Sequence, residues 1–188
     1  MKTNTNTASS ICVALLASAA SLTAAPIQWT IASGGNDHFY DFIVAPSIGW
    51  NDAEAASLLA GGTLATITSS AENAFIAANV PGSMHYFWLG AYQPIGSPEP
   101  AGGFTWVTGE SFTYTNWHPG EPNNLGGNEQ YVEFDGVVGQ WNDQSLGRTS
   151  DFGYVVENVP EPSSALLLLS GAALCLRRRS LRTHERNG

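Results

Sequence analysis

Residues 116–144 read NWHPGEPNNLGGNEQYVEFDGVVGQWNDQ, and the first half of that stretch poses the question on which the fold turns. From Asn116 to Gln130 the chain is rich in glycine and asparagine, holds no hydrophobic run, and sets a proline between Glu121 and Asn123. Left to itself such a segment stays loose, because its backbone has little to pack against and much entropy to lose. A set of oxygen acceptors supplies a means of holding it. GEPNN contributes Glu121 and Asn123, Glu129 follows eight residues after Glu121, and QWNDQ contributes Asn142 and Asp143, with no histidine or cysteine interleaved. Three carboxylates and two amide carbonyls suit Ca²⁺, which takes about 6–8 oxygens at about 2.3–2.6 Å. Zinc calls for imidazole or thiolate, which this set lacks. A cis bond is inexpensive before proline, and a cis Glu121–Pro122 bond is expected to turn Glu121 and Asn123 toward one ion. The alternative is a solvated loop whose acids merely face water.

Upstream, Ile27–Ile31 and Phe42–Ala45 read as short strands. NDAEAASLLAGG, from Asn51, reads as a helix stopped at Gly61–Gly62. TLATI (Thr63–Ile67) is a strand, and Ser69 with Glu72 forms a capping-box pattern opening a second helix over AENAFIAANV. YFWLGAY, Tyr86–Tyr92, is an apolar run of strand length. Further strands are predicted at Phe104–Val107, Gln130–Phe134, Gly139–Trp141 and Phe152–Glu157. Two early helices followed by many short strands indicate an α+β fold. The span from Gln93 to Asp151 carries little regular structure for its length, as functional or disordered loops do. The six tryptophans argue for order, because an indole at a strand position packs.

The two ends have a different character. Lys2, the apolar run Ile11–Ala17 and small residues up to Ala25 form an export-signal pattern over residues 1–25, with A-x-A cleavage sites near Ala19 or Ala25. At the other end Pro160-Glu161-Pro162 leads into twelve mostly apolar residues, Ala165–Leu176, and then Arg177-Arg178-Arg179. Twelve helical residues rise only about 18 Å, short of a hydrocarbon core of about 30 Å. A permanent membrane anchor is therefore not expected, and the arginines would stay on the cytoplasmic side. This order resembles the PEP-CTERM sorting tails of Gram-negative bacteria. The resemblance implies an exosortase partner, transient inner-membrane contact through residues 159–188, and release at the cell surface or into the extracellular matrix.

One domain of about 133 residues, 26–158, remains. It carries fourteen acidic residues against the single Arg148, a charge near −13. This charge disfavours nucleic acid and anionic membrane surfaces as partners and favours divalent cations. Both cysteines, Cys12 and Cys175, lie in the ends, so an exported domain stands without a disulfide.

The central region resembles a C-type lectin domain from about Trp29 to Glu157. GWNDAEAASLLAGGTLATITSSAENAFI matches the two-helix region, FWLGAY the family's WIGL strand, GFTWVTGESFTYTNWHPGEPNN the long loop, and NEQYVEF, WND and YVVE the closing strands. The resemblance implies two helices, two small antiparallel sheets and a long calcium-binding loop. It also implies that Glu121, Asn123, Glu129, Asn142 and Asp143 hold a Ca²⁺ that coordinates two neighbouring sugar hydroxyls. The order Glu-Pro-Asn resembles the mannose-type members, which select equatorial 3- and 4-hydroxyls. Mannose, fucose, glucose or N-acetylglucosamine units of an exopolysaccharide or surface glycan are the implied ligands. Leu125 is expected beside the sugar.

The departures are specific. Ser57, Tyr131, Leu146 and Val156 stand where the family's two disulfides are expected, each typically worth about 2–5 kcal/mol. Gln93, Asn124 and Gln130 replace carboxylates of the auxiliary sites, so one Ca²⁺ is expected. Glu133 and Asp135 alternate on a strand and offer a carboxylate pair, but a solvated strand face is the simpler expectation. His118, beside Pro119, reads as a loop surface residue, and Trp117 and Trp141 as core. No nucleophile elbow or phosphate loop appears, so an enzyme is not expected. The rival expectation is a domain of this fold with structural calcium and a protein or other non-sugar partner.

Overall fold

A computed structural model describes residues 25–82, 84–146 and 153–160. The tail from Glu161, nearly all of the export signal, and Arg148 lie outside the described residues. The strands are β1 (Ile27–Gln28), β2 (Phe39–Val44), β3 (Thr63–Leu64), β4 (Phe87–Tyr92), β5 (Thr105–Trp106), β6 (Tyr131–Asp135), β7 (Gln140–Gln144) and β8 (Gly153–Asn158). Helix α1 (Trp50–Leu59) precedes β3, and α2 (Ser70–Asn79) follows it.

Both helices end as their sequences dictate. At the close of α1 the Gly61 N–H bonds Leu58 O and the Gly62 N–H bonds Ser57 O, each at 3.1 Å. This is a Schellman closure, with Gly61 at φ 84° where a side chain would be strained. Ser69 Oγ accepts the Glu72 N–H at 3.2 Å and caps α2. The Glu72 carboxylate, however, takes the N–H and hydroxyl of Thr68 rather than the cap residue's own N–H. The predicted strand Ile27–Ile31 gives way after Gln28, and Ile31–Ser33 forms a 3-10 turn capped by Thr30. The strand expected over Thr63–Ile67 stops at Leu64, because the Thr66 N–H donates to the Glu157 carboxylate at 2.9 Å instead of to a ladder.

The architecture is α+β, with the strands in the order β1-β2-β8-β4-β6-β7, β3 on β8 and β5 on β4. The expected pair of small antiparallel sheets is here joined into one path by a short parallel pairing of β4 with β8. Antiparallel register with β2 sets the direction of β8, and that direction leaves it parallel to β4 on its other side.

The core has two parts. Phe42, Phe87, Leu89, Trp106, Val132, Phe134 and Trp141 fill one, and Trp50, Leu64, Trp88, Tyr154 and Val156 the other. Two of the buried indoles find carbonyl acceptors: Trp50 Nε1 bonds Leu89 O at 2.7 Å and Trp88 Nε1 bonds Ile48 O at 2.9 Å. Three positions where the resemblance implies cysteines are packed instead. Ser57 is buried with its hydroxyl on Ala53 O, Val156 sits in the second core, and the Tyr131 ring lies 4.8 Å from that of Trp50. Trp141 is fully buried and Trp117 packs edge-on against it, centroids 5.7 Å apart.

Candidate functional site

Residues 116–130 are held chiefly by β7 and by their own side chains. Trp141 N–H bonds Asn116 O, and the His118 N–H bonds Trp141 O, both at 2.8 Å. Trp141 is itself fixed to α2 by its Nε1 on Asn73 Oδ1, 2.8 Å. Gly120, at φ 97°, makes the turn into Glu121, and the Glu121–Pro122 bond is cis. Beyond it Leu125–Gly127 forms a 3-10 turn.

The acids then grip the loop backbone. Asp143, fully buried on β7, accepts the Asn123 N–H on Oδ1 at 2.9 Å and the Asn124 N–H on Oδ2 at 2.7 Å. Glu129 Oε2 accepts the Leu125 N–H at 2.7 Å, and the Glu129 N–H returns to Asn124 Oδ1 at 3.0 Å. Charge-assisted bonds of this kind are about twice as strong as neutral ones. They are what keeps a glycine- and asparagine-rich segment in one conformation.

The five expected oxygen donors are neighbours here. Burial, the facing Asp143 carboxylate and its charge push Glu121 up from the usual carboxylate range, while Asn123 and His118 act against this. Burial raises Glu129 as well, opposed by the Leu125 N–H and reinforced by the charges of Asp143, Glu121 and Glu133. Asn142 donates its Nδ2 to Glu133 Oε1 at 2.9 Å, which leaves its carbonyl oxygen for another partner. Leu125 is 72% exposed at the rim.

Two expectations are corrected. Glu133 and Asp135 do not lie on a solvated face: Glu133 is fully buried and Asp135 nearly so. The reason is tertiary, since Tyr86, His118 and Glu121 share a cleft with Glu133, and His85 and His118 face Asp135. Glu133 thus joins the acid cluster, and only its contacts, not its spacing, reveal it. His118 is not a free surface residue either. Its Nε2 lies 3.5 Å from Asp135 Oδ2, and its ring lines a cleft with Tyr86, Glu121, Glu133 and Asn142.

Does this set suit a cation? Among the described residues no three His, Cys, Asp or Glu side chains form a ready-made metal cluster. The chemistry nevertheless fits a hard cation. The donors are all oxygen, the Asp143 charge adds to burial in raising the proton affinity of Glu121 and Glu129, and Glu121 Oε2 is buried without a hydrogen-bond partner. A buried, partnerless carboxylate oxygen is costly unless a charge or donor meets it. Of the auxiliary positions, Gln93 has become a donor, its Nε2 on Gly102 O at 2.7 Å, and Asn124 is engaged within the loop.

Fold and site together define a class. Residues 47–150 match the Lectin C-type domain, and the chain belongs to that family, one of non-enzymatic carbohydrate-binding proteins. It is 35% identical over 106 residues to Lectin BRA-3 of Megabalanus rosa, a match covering 55% of this chain and 62% of that protein. The chain therefore spans less than two thirds of that relative's length. Among solved structures it is similar to the cow C-type carbohydrate-recognition domain of CD23, determined in the presence of GlcNAc2Man3 oligosaccharide. There the identity is 27% and the TM-score 0.58, over 68% of this chain and 92% of that one. A calcium-independent type II antifreeze protein shares the fold at 22% identity and TM-score 0.55, over 74% of this chain and 98% of that one.

Proposed function

We propose that the chain is an exported, calcium-dependent carbohydrate-binding module for sugars with equatorial 3,4-diols, of the mannose, fucose, glucose or N-acetylglucosamine type. The observation that carries this reading is the buried Glu121 Oε2, which has no hydrogen-bond partner and lies in a carboxylate whose proton affinity burial and Asp143 raise. Glu121, Asn123, Glu129, Asn142 and Asp143 would hold Ca²⁺, which when bound supplies a coordination site for two sugar hydroxyls. The carboxylates accept the hydroxyl protons and the amides of Asn123 and Asn142 donate to the hydroxyl oxygens. Each desolvated group thereby keeps a partner. Leu125 offers apolar contact at the rim. A site gripping only two hydroxyls binds weakly, roughly at millimolar Kd, so useful avidity comes from many copies on a surface or matrix. Residues 1–25 as export signal and 159–188 as a sorting tail handled by an exosortase fit such display, with 26–158 as the lectin domain.

The test is a glycan array read with the full chain in Ca²⁺ and again in chelator, with Glu121→Gln and Asn123→Asp as variants. Binding to mannose-, fucose- or glucose-type sugars that disappears with chelator and changes in the variants is the expected result. Silence in both conditions, with Ca²⁺ uptake confirmed, favours the rival reading of a structural ion and a non-sugar partner. One observation favours that rival: both Asp143 oxygens already hold loop N–H groups.

A further inference from the structure

The inference here rests on the sugar-binding reading above and extends it from one sugar unit to two. Beside the five oxygen side chains opens a cleft of about 330 Å³, lined by Tyr86, His118, Glu121, Glu133 and Asn142. Its size lies within the range of ligand pockets, about 300–1,000 Å³. Glu121 and Asn142 belong to the cation set; the other three residues do not. We propose that this cleft is a second saccharide subsite, taking a neutral sugar unit linked to the one held at the cation, with Tyr86 and His118 as its walls.

The walls are built in advance. Asp135, 7% exposed, accepts the Val137 N–H on Oδ1 at 2.9 Å and faces His85 Nδ1 at 3.2 Å. Its Oδ2 faces His118 Nε2 at 3.5 Å. The His85 ring in turn packs on Tyr86, centroids 5.6 Å apart. One buried carboxylate thus sets both imidazoles, and Tyr86 through one of them. Tyr86 also sits at φ 24°, a positive value that a tyrosine rarely adopts. Backbone held in such a region clusters at ligand clamps. Walls that do not need ordering on binding save the entropy that weakens flexible sites.

The lining selects the ligand. Ring faces accept the C–H face of a pyranose, while Glu133, fully buried and holding Asn142 Nδ2 at 2.9 Å, frames the cleft as a fixed negative charge. Glu121 and Glu133 oppose an acidic sugar, and the described residues contain no Lys or Arg to offset them. A neutral hexose unit is what remains.

The experiment is calorimetric titration of the Ca²⁺-loaded full chain. The probes are methyl α-mannoside, methyl α-glucoside and N-acetylglucosamine, each against its disaccharide: mannobiose, maltose and chitobiose. At least one disaccharide should bind about five- to tenfold more tightly than its monosaccharide, a gain of roughly 1 kcal/mol. His118→Ala should return that ratio to about one while leaving monosaccharide affinity, read at saturating Ca²⁺, unchanged. Tyr86→Leu probes the opposite wall by the same ratio should His118→Ala melt at lower temperature. Equal affinity for single and double units, or a gain that survives both variants, overturns the subsite and leaves the single-sugar reading standing. No binding of any of the six sugars overturns both.

Discussion

Asp143 on β7 holds the backbone of Asn123, twenty residues earlier in the chain, through a 2.9 Å bond from the Asn123 N–H to Oδ1. Its other oxygen holds Asn124 at 2.7 Å. The side chain that closes the proposed cation set is therefore also the strut of the loop that carries the set's first members. Asp143→Ala leaves two loop N–H groups without acceptors and, measured in chelator, should lower stability by about 2–4 kcal/mol. The measurement is the denaturation midpoint at unchanged m-value. A shift below about 0.5 kcal/mol would mean that the loop is held by other means.

Asn73 makes the corresponding link on the far side of β7. Its Oδ1 accepts Trp141 Nε1 and its Nδ2 donates to Gly139 O, both at 2.8 Å, with Asn73 itself 5% exposed. Asn73→Ala strands a buried indole N–H, while Gly139 O keeps the Asn116 Nδ2 bond at 2.6 Å, so about 1–3 kcal/mol should be lost. Asn73→Asp keeps an acceptor for Trp141 Nε1 but sets a buried carboxylate against Gly139 O, so thermal unfolding should show a loss at least as large as that of Asn73→Ala.

Removal of Ca²⁺ should register in stability as well as in binding. The cluster of Glu121, Glu129, Glu133 and Asp143 is mutually repulsive, and no disulfide ties the loop, because residues 26–158 contain no cysteine. Ca²⁺ at a hundred times its Kd adds about 2.7 kcal/mol, which for a domain of this size raises Tm by on the order of ten degrees. Coincident melting curves in Ca²⁺ and in chelator would remove the cation from the proposal.

Much of this was legible before the structure. The Gly61–Gly62 stop, the Ser69 cap and the oxygen-rich spacing from Glu121 to Asp143 rest on local chemistry that short windows display. Glu133 was not legible, for a definite reason. Alternation tells which residues share a face of a strand, not whether another segment covers that face. The covering segment here comes from elsewhere in the chain, through His118 and Tyr86. For the same reason His118 looked like a loop residue, since its partner Asp135 lies seventeen positions on. The length of β3 escapes a local reading because the acceptor that ends it, the Glu157 carboxylate, lies 91 residues from Thr66.

Leu125 tests the rim without touching the frame. It is 72% exposed on the 3-10 turn, so Leu125→Ser should change Tm by less than about 0.5 kcal/mol equivalent. Sugar affinity should nonetheless fall severalfold by titration. Unchanged affinity would place the bound sugar on the other side of the cation.

The pH response should have opposite signs with and without calcium. Glu121, Glu129 and Glu157 all have raised proton affinity in the folded state, burial being the first cause in each. A carboxyl whose folded pKa exceeds its unfolded value stabilises the fold when protonated. That contribution is complete below the unfolded value of about 4.5 and is lost as pH rises through the folded value. In chelator, therefore, Tm should rise as pH falls from 7 toward 5. The rise should be shallower in Glu157→Gln, which removes one of the three groups and leaves the loop alone. In Ca²⁺ the same protons compete with the ion at Glu121 and Glu129, so Ca²⁺ affinity and the Tm gain should shrink over that interval. The two Tm curves should converge toward acid pH. Parallel curves would show that the acids near Asp143 do not meet the ion, and a Tm in chelator that falls steadily from pH 7 to 5 would show that their burial is relieved in solution.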